Sequence, residues 1–212
     1  MQSFVRSALV ALALGATALP AAAQDITPAT DGPPRQGFYI GLGVAGASVS
    51  ADCKNCGDAD AAGMFGSHIK LGGTLSKSVR LGADLFGVYS EEGIYGQLSG
   101  GGETATENAG HAMLAVTVYP SAEGNFWFQA GLGTVVYIAD VDGDQKYTGR
   151  GFGGMLGVGY DFRVGKNGSL TPYLSLTSST NGYLYDEAGD KVGGAEEWQT
   201  AFLALGVDYV FH

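Results

Sequence analysis

A chain of 212 residues with 11 Lys and Arg against 21 Asp and Glu carries a formal charge of −10, which excludes a nucleic-acid surface built on basic patches. Charged residues are only 15% and glycines number 36, against a usual ~25% charge and ~7% glycine, so an ordinary soluble helical enzyme fits poorly. Abundant glycine with 11 Tyr and 10 Phe points instead to a barrel of β-strands.

Arg6 precedes the apolar run ALVALALGATALP, and Ala21 and Ala23 stand in the small-x-small arrangement of a cleavage site. Residues 1–23 are therefore predicted as a secretory signal peptide, cut before Gln24. Residues 24–36, QDITPATDGPPRQ, hold three of the six prolines without apolar periodicity and are predicted as a flexible segment. One domain is expected over 37–212, and none of it is apolar for the ~20 residues that a transmembrane helix needs.

Within that domain, period-two patterning predicts eight strands, at 37–49, 63–75, 78–90, 110–120, 125–139, 150–164, 169–180 and 198–211. The first opposes Phe38, Ile40, Leu42 and Val44 to Tyr39, Gly41, Gly43 and Ala45. In the second, Phe65, Ile69 and Leu71 oppose His68 and Lys70; in the third, Val79, Leu81, Ala83 and Leu85 oppose Arg80, Gly82, Asp84 and Phe86. The fourth alternates Leu114, Val116 and Val118 with Met113, Ala115 and Thr117. In the fifth, Phe128, Ala130, Leu132, Val136 and Ile138 alternate with Trp127, Gln129, Gly131, Gly133 and Tyr137. The sixth opposes Leu156, Val158, Tyr160 and Phe162 to Met155, Gly157, Gly159, Asp161 and Arg163. The seventh sets Leu174 and Leu176 against Tyr173 and Ser175. The last has the longest apolar row, Ala201, Leu203, Leu205, Val207, Tyr209 and Phe211, opposite Thr200, Phe202, Ala204, Gly206, Asp208 and Val210.

Short connections (TLSKSV, YPSAEGN, VGKNGSL) alternate with long ones (ADCKNCGDADAAG, SEEGIYGQLSGGGETATENAG, ADVDGDQKYTG, TNGYLYDEAGDKVGGAEE). An even strand count with short turns at one end and long loops at the other is the transmembrane-barrel pattern. A soluble barrel also alternates, but turns its apolar row inward. Here the ionisable strand residues Lys70, Arg80, Asp84, Asp161, Arg163 and Asp208 all share the glycine-rich row. Glycine is a poor water-facing strand surface and suits a crowded lumen. Aromatics also gather at strand ends, as in the girdles at headgroup level. The expected fold is all-β: an eight-stranded antiparallel up-and-down transmembrane β-barrel, closed because an open edge cannot persist in hydrocarbon.

The signal peptide, eight amphipathic strands, three short turns, four long loops and a terminal VDYVF together resemble the small outer-membrane β-barrels of the OmpA-like and opacity-protein-like superfamily. The resemblance implies a monomer in the cell outer membrane of a Gram-negative envelope. It also implies that Tyr209 and Phe211 form the C-terminal signal read by the barrel-assembly machinery, although His212 follows the aromatic here. No peptidoglycan-binding domain is expected after the barrel.

The long loops hold fifteen acids and four bases (Lys54, Lys146, Arg150 and Lys191), while the rest of the chain after residue 23 balances at six of each. In this topology the loops face outside, so the external surface is expected to be acidic and solvated. It could share divalent cations with phosphates of lipopolysaccharide and other outer-membrane lipid. DVDGDQ (Asp140, Asp142, Asp144) is the most compact ligand-like run but lacks the spacing of a calcium loop. No metal and no cofactor are expected. The inward set Lys70, Arg80, Asp84, Asp161, Arg163 and Asp208 is expected to form a mutually neutralising lumen network rather than an ion-selective ring.

Cys53 and Cys56, in CKNC on the first long loop, are candidates for a disulfide, since an exported chain meets oxidising conditions. No catalytic set emerges. His68 and Ser67 point to opposite faces, His111 at the start of the fourth strand has no Ser or Asp at strand spacing, and no G-x-S-x-G elbow occurs. A non-enzymatic structural or cell-surface role through four acidic loops, with an unidentified surface ligand, is the expectation; a barrel enzyme acting on lipid A and a narrow low-conductance pore are the alternatives.

Overall fold

The computed structural model describes residues 36–53, 60–91, 94, 105–141, 145–165, 167–180 and 182–212. The predicted signal peptide and nearly all of the flexible segment lie outside them. Ten strands occur: β1 Phe38–Asp52, β2 Ala62–Ser76, β3 Val79–Ser90, β4 Ala105–Val118, β5 Phe126–Val141, β6 Gln145–Tyr160, β7 Phe162–Arg163, β8 Gly168–Ser179, β9 Gly182–Tyr185 and β10 Lys191–Phe211. Eight of them are long. Each pairs antiparallel with its chain neighbours, and β1 pairs β10 from Ile40↔Phe211 to Asp52↔Gln199, which closes the ring. Both chain ends of the barrel lie at the end with the short turns, so the long connections all lie at the other.

The alternation seen in the sequence sorts the side chains radially. Leu42, Leu114, Leu132 and Leu156 point outward and remain exposed, whereas Met113, Met155, Phe202 and Asp208, of the opposite parity on their strands, are buried inside. Outward aromatics pair at the short-turn end, Phe126 on Phe128 at 4.9 Å, Tyr160 on Phe162 at 4.7 Å and Tyr209 on Phe211 at 4.7 Å. A second exposed set, Phe65, Tyr89, Phe152 and Tyr183, stands toward the long-loop end. From Phe152 to Tyr160 the strand runs ~26 Å at ~3.3 Å per residue, or ~20 Å along the membrane normal at a ~40° tilt. With the rings themselves included, that matches the ~25 Å apolar band of such barrels.

Strand limits depart from expectation at the long-loop end. β4 begins at Ala105, β6 at Gln145 and β10 at Lys191, each five or more residues before the predicted 110, 150 and 198. The predicted loop ADVDGDQKYTG is mostly a continuing hairpin, with Val141 facing Gln145. Within the fourth loop, β9 pairs both β6 and β10, and the turn between them closes with Asp190 N donating to Asp186 Oδ1 at 2.8 Å. These segments rise above the lipid, where nothing requires an apolar outward row, so the period-two signal fades although the ladder continues. The extra residue Glu197, at φ 58°, makes a bulge between Glu196 and Trp198 that resets the facing of β10 and turns Trp198 inward against Tyr137 at 5.2 Å.

Inward glycines make room for rings and a carboxylate. A Cβ on Gly206 would stand 2.6 Å from the Tyr173 ring, and one on Gly43 would fall on the Asp208 carboxylate, whereas a Cβ on the outward Gly73 would meet nothing within 4 Å. Gly206→Val is expected to lower unfolding stability in lipid vesicles by about 1–3 kcal/mol, the cost of overpacking. Gly73→Val should leave it unchanged or raised, and equal effects at the two sites would contradict the radial assignment.

Candidate functional site

The interior of the barrel is a layered polar network built on the inward-facing side chains of its strands. In the layer nearest the short turns, Asp161 accepts hydrogen bonds from Tyr119 Oη at 2.9 Å, Trp127 Nε1 at 3.1 Å and Thr171 Oγ1 at 3.1 Å. Arg80 Nη1 lies 3.9 Å from the same carboxylate, and its guanidinium covers the rings of Tyr39 and Tyr119 at 5.0 and 5.2 Å. Arg80 also donates to His212 Nδ1 at 2.9 Å, and the other ring nitrogen of His212 lies 2.9 Å from Ser169 Oγ. His212, which follows the expected assembly signal, thus belongs to the lumen floor, while Tyr209 and Phe211 face outward.

The next layer centres on two carboxylates. Asp84 Oδ1 takes His68 Nε2 and His111 Nε2, each at 2.9 Å, and Asp84 Oδ2 takes Gln129 Nε2 at 3.0 Å. Asp208 takes His68 Nδ1 at 3.0 Å and lies 3.2 Å from Lys70 Nζ. Ionised carboxylates only accept, so with Asp84 and Asp208 both charged each nitrogen of His68 donates and the ring is an imidazolium. Asp84, Asp161 and Asp208 are then balanced by Lys70, Arg80 and His68 within these layers. Lys70 Nζ also sits 4.6 Å from the Trp127 ring and 4.8 Å from the Tyr173 ring, which helps to offset its desolvation. Arg163 stands outside this network among the described residues: it lies in the two-residue β7, half-buried, beyond the floor formed at Asp161.

Sequence reasoning left His68 and His111 out of the network. His111 is not at a strand start but well inside β4, facing Phe86 of β3. Its partners come from other strands, Asp84 on β3 and Thr177 on β8, whose Oγ1 lies 3.2 Å from His111 Nδ1. Applying the inward-parity rule to every polar strand residue, not just the formally charged ones, would have found His68, His111 and Gln129. Hydroxyl, imidazole and carboxylate here follow the order of a nucleophile, base and orienting acid. Thr177, however, is 1% exposed, and the His111 ring is stacked on Phe86 at 5.3 Å and on Phe202 at 6.4 Å, which leaves an acyl donor no approach.

At the long-loop end the acids are less uniform than a solvated rim. Glu107 lies in β4 and is completely buried, and Asp140 lies in β5 opposite Lys146, both because the hairpins continue above the lipid. Asp58, Glu92, Glu103, Asp142, Asp144 and Lys54 lie outside the described residues. Cys53 is buried and disulfide-bonded; Cys56 lies outside the described residues. Among the described residues no group of three or more His, Cys, Asp or Glu could hold a metal ion.

A closed antiparallel ring, a filled polar interior and an apolar outer belt between aromatic girdles define a small outer-membrane β-barrel. Solved structures of that class share the fold. Neisserial surface protein A matches at a TM-score of 0.50 and 17% identity, over 81% of this chain and 96% of its own. The attachment invasion locus protein Ail of Yersinia pestis matches at 0.50 and 13%, over 83% and 99%. The outer membrane protein OprG of Pseudomonas aeruginosa matches at 0.52 and 13%, over 85% and 98%. No protein-family model and no curated protein matches the chain. With its belt facing acyl chains, the chain is an integral protein of the outer membrane.

Proposed function

We propose that the chain is a non-enzymatic barrel whose work is done at the external surface, by loops held on a rigid frame. The observation that carries this reading is the filled lumen. Asp84, Asp161, Asp208, His68, Lys70 and Arg80 are all at most 7% exposed, and their mutual contacts cross the interior from β2 to β10. An eight-stranded barrel is just wide enough for its own side chains, so transport through the middle would require this network to be dismantled. Function then falls to the outer surface, where loops carry recognition on a fixed scaffold.

The test joins three measurements on the full chain. Wild-type barrel in planar bilayers should show no steady ion conductance. Lipid A from cells with and without the chain should give identical mass spectra. Cells displaying the barrel should be retained on protein-coated or abiotic surfaces, and lose that retention when the four loops are replaced by tight turns while the barrel keeps its heat-modifiable gel mobility. Steady conductance, an altered lipid A or retention unaffected by loop removal would each overturn the reading.

A further inference from the structure

The four bases of the external segments are not scattered. Lys146 and Arg150 project outward from β6, and Lys191 starts β10, so three of the four gather on one wall of the barrel. β9 lies between their strands, with Thr148 facing Tyr185 and Arg150 facing Tyr183, while Lys191 faces Tyr185 on the other side. Together with the acids of the β9–β10 turn, Lys146, Thr148, Arg150 and Tyr185 line a depression of about 480 Å³.

We propose that this outward face binds the phosphates of an outer-leaflet glycolipid, that is, the headgroup of a lipopolysaccharide-type lipid. Height is the first argument. The outward row of β6 reads Lys146, Thr148, Arg150, Phe152, Gly154, Leu156, and Phe152 and Leu156 are exposed members of the lipid-facing belt. Successive members of a row are ~6.6 Å apart along the strand, so Arg150 stands one step above the acyl boundary, at the level of headgroup phosphates. A lipid seated there would lay its chains along Phe152 and Leu156 without leaving the bilayer. This continuity with the belt is why a lipid, rather than a free polyanion, is the fitting occupant.

Charge is the second. Among the described residues, neither Lys146 nor Arg150 makes an ion pair, although Asp140 faces Lys146 across the β5–β6 ladder and Asp186 and Glu187 line the same depression. Asp186 is engaged by the backbone N–H of Asp190. Lys191 Nζ lies over the Tyr183 ring, 3.4 Å from its centroid, a contact that leaves its positive charge uncancelled. Arg and Lys donors with a neighbouring threonine hydroxyl suit a phosphorylated headgroup, since guanidinium and ammonium groups bind phosphate oxygens. Asp186 and Glu187 follow Tyr185 on the side away from the membrane, which confines the anion to the lower half of the face. The proposal concerns the outward wall of the continued hairpins β6, β9 and β10 and does not rest on what the tips of the loops bind.

The test uses the full barrel folded in uncharged detergent and lipid A carrying its phosphates as the probe. Wild type should bind it at least tenfold more tightly than it binds dephosphorylated lipid A, and the K146A/R150A/K191A variant should lose that margin. Lys77→Ala, on the short-turn side, should bind as wild type does. Inorganic phosphate should compete only weakly. Equal binding of the two lipids by wild type, a measurement that needs no variant, would overturn the proposal. So would an unchanged affinity in the folded triple variant, or inorganic phosphate binding as tightly as the lipid.

Discussion

Asp84→Ala is expected to remove about 3–5 kcal/mol from the stability of the folded barrel, the range for taking one partner from a buried ionic group. The carboxylate is fully buried and accepts from His68 on β2, His111 on β4 and Gln129 on β5, so it ties four consecutive strands together through the lumen. Alanine would leave three buried donors without an acceptor and the charges of His68 and Lys70 with Asp208 alone. Each orphaned polar group costs ~1–3 kcal/mol in a dry interior. Reversible urea unfolding in vesicles, followed by Trp fluorescence, measures the loss. Glu187→Ala, on an exposed turn, should stay within ~0.5 kcal/mol of wild type. A cost for Asp84→Ala below ~1 kcal/mol would mean that water reaches the network, and the filled lumen on which the proposed function rests would be wrong.

Leu132→Arg is the complementary experiment on the outside. Leu132 is 63% exposed on β5, flanked by Leu114 at 65% and Gly154 on the paired strands, and lies in the middle of the belt. In water an arginine at so open a site would change stability by no more than ~0.5 kcal/mol. In a bilayer it must bury a guanidinium among acyl chains, which costs about 2–4 kcal/mol near the midplane. The same vesicle assay reads the difference, and Thr134→Arg, one step nearer the external rim, should cost less because the penalty falls with depth. A neutral Leu132→Arg in lipid would contradict the orientation of every strand described above.

The contrast between these two residues marks how far the chain alone could be read. Each strand must individually present an uncharged row to lipid, so Leu114, Leu132, Leu156 and Leu203 identify their faces without knowledge of any partner. For the same reason the inward parity of Lys70, Arg80, Asp84, Asp161 and Asp208 was legible strand by strand. That requirement ends at the headgroups, and there legibility ended too: β9, the lower half of the β10 extension and the burial of Glu107 appear only once the hairpins are paired.

Which inward group meets which is a different kind of information. His68 and Asp208 are 140 residues apart in sequence, His111 and Thr177 66 apart, and their meeting depends on the ring closing between β1 and β10 in one register. A shift of that register by two residues would preserve every apolar row and yet separate each of these pairs. The chain by itself therefore determined the class of fold, the membrane face and the set of residues enclosed, because lipid acts on one strand at a time. Only the closed tertiary structure decided the charge pairing, the bridge of His68 between Asp84 and Asp208 and the gathering of Lys146, Arg150 and Lys191 on one wall, because those depend on distances between strands that no single strand encodes.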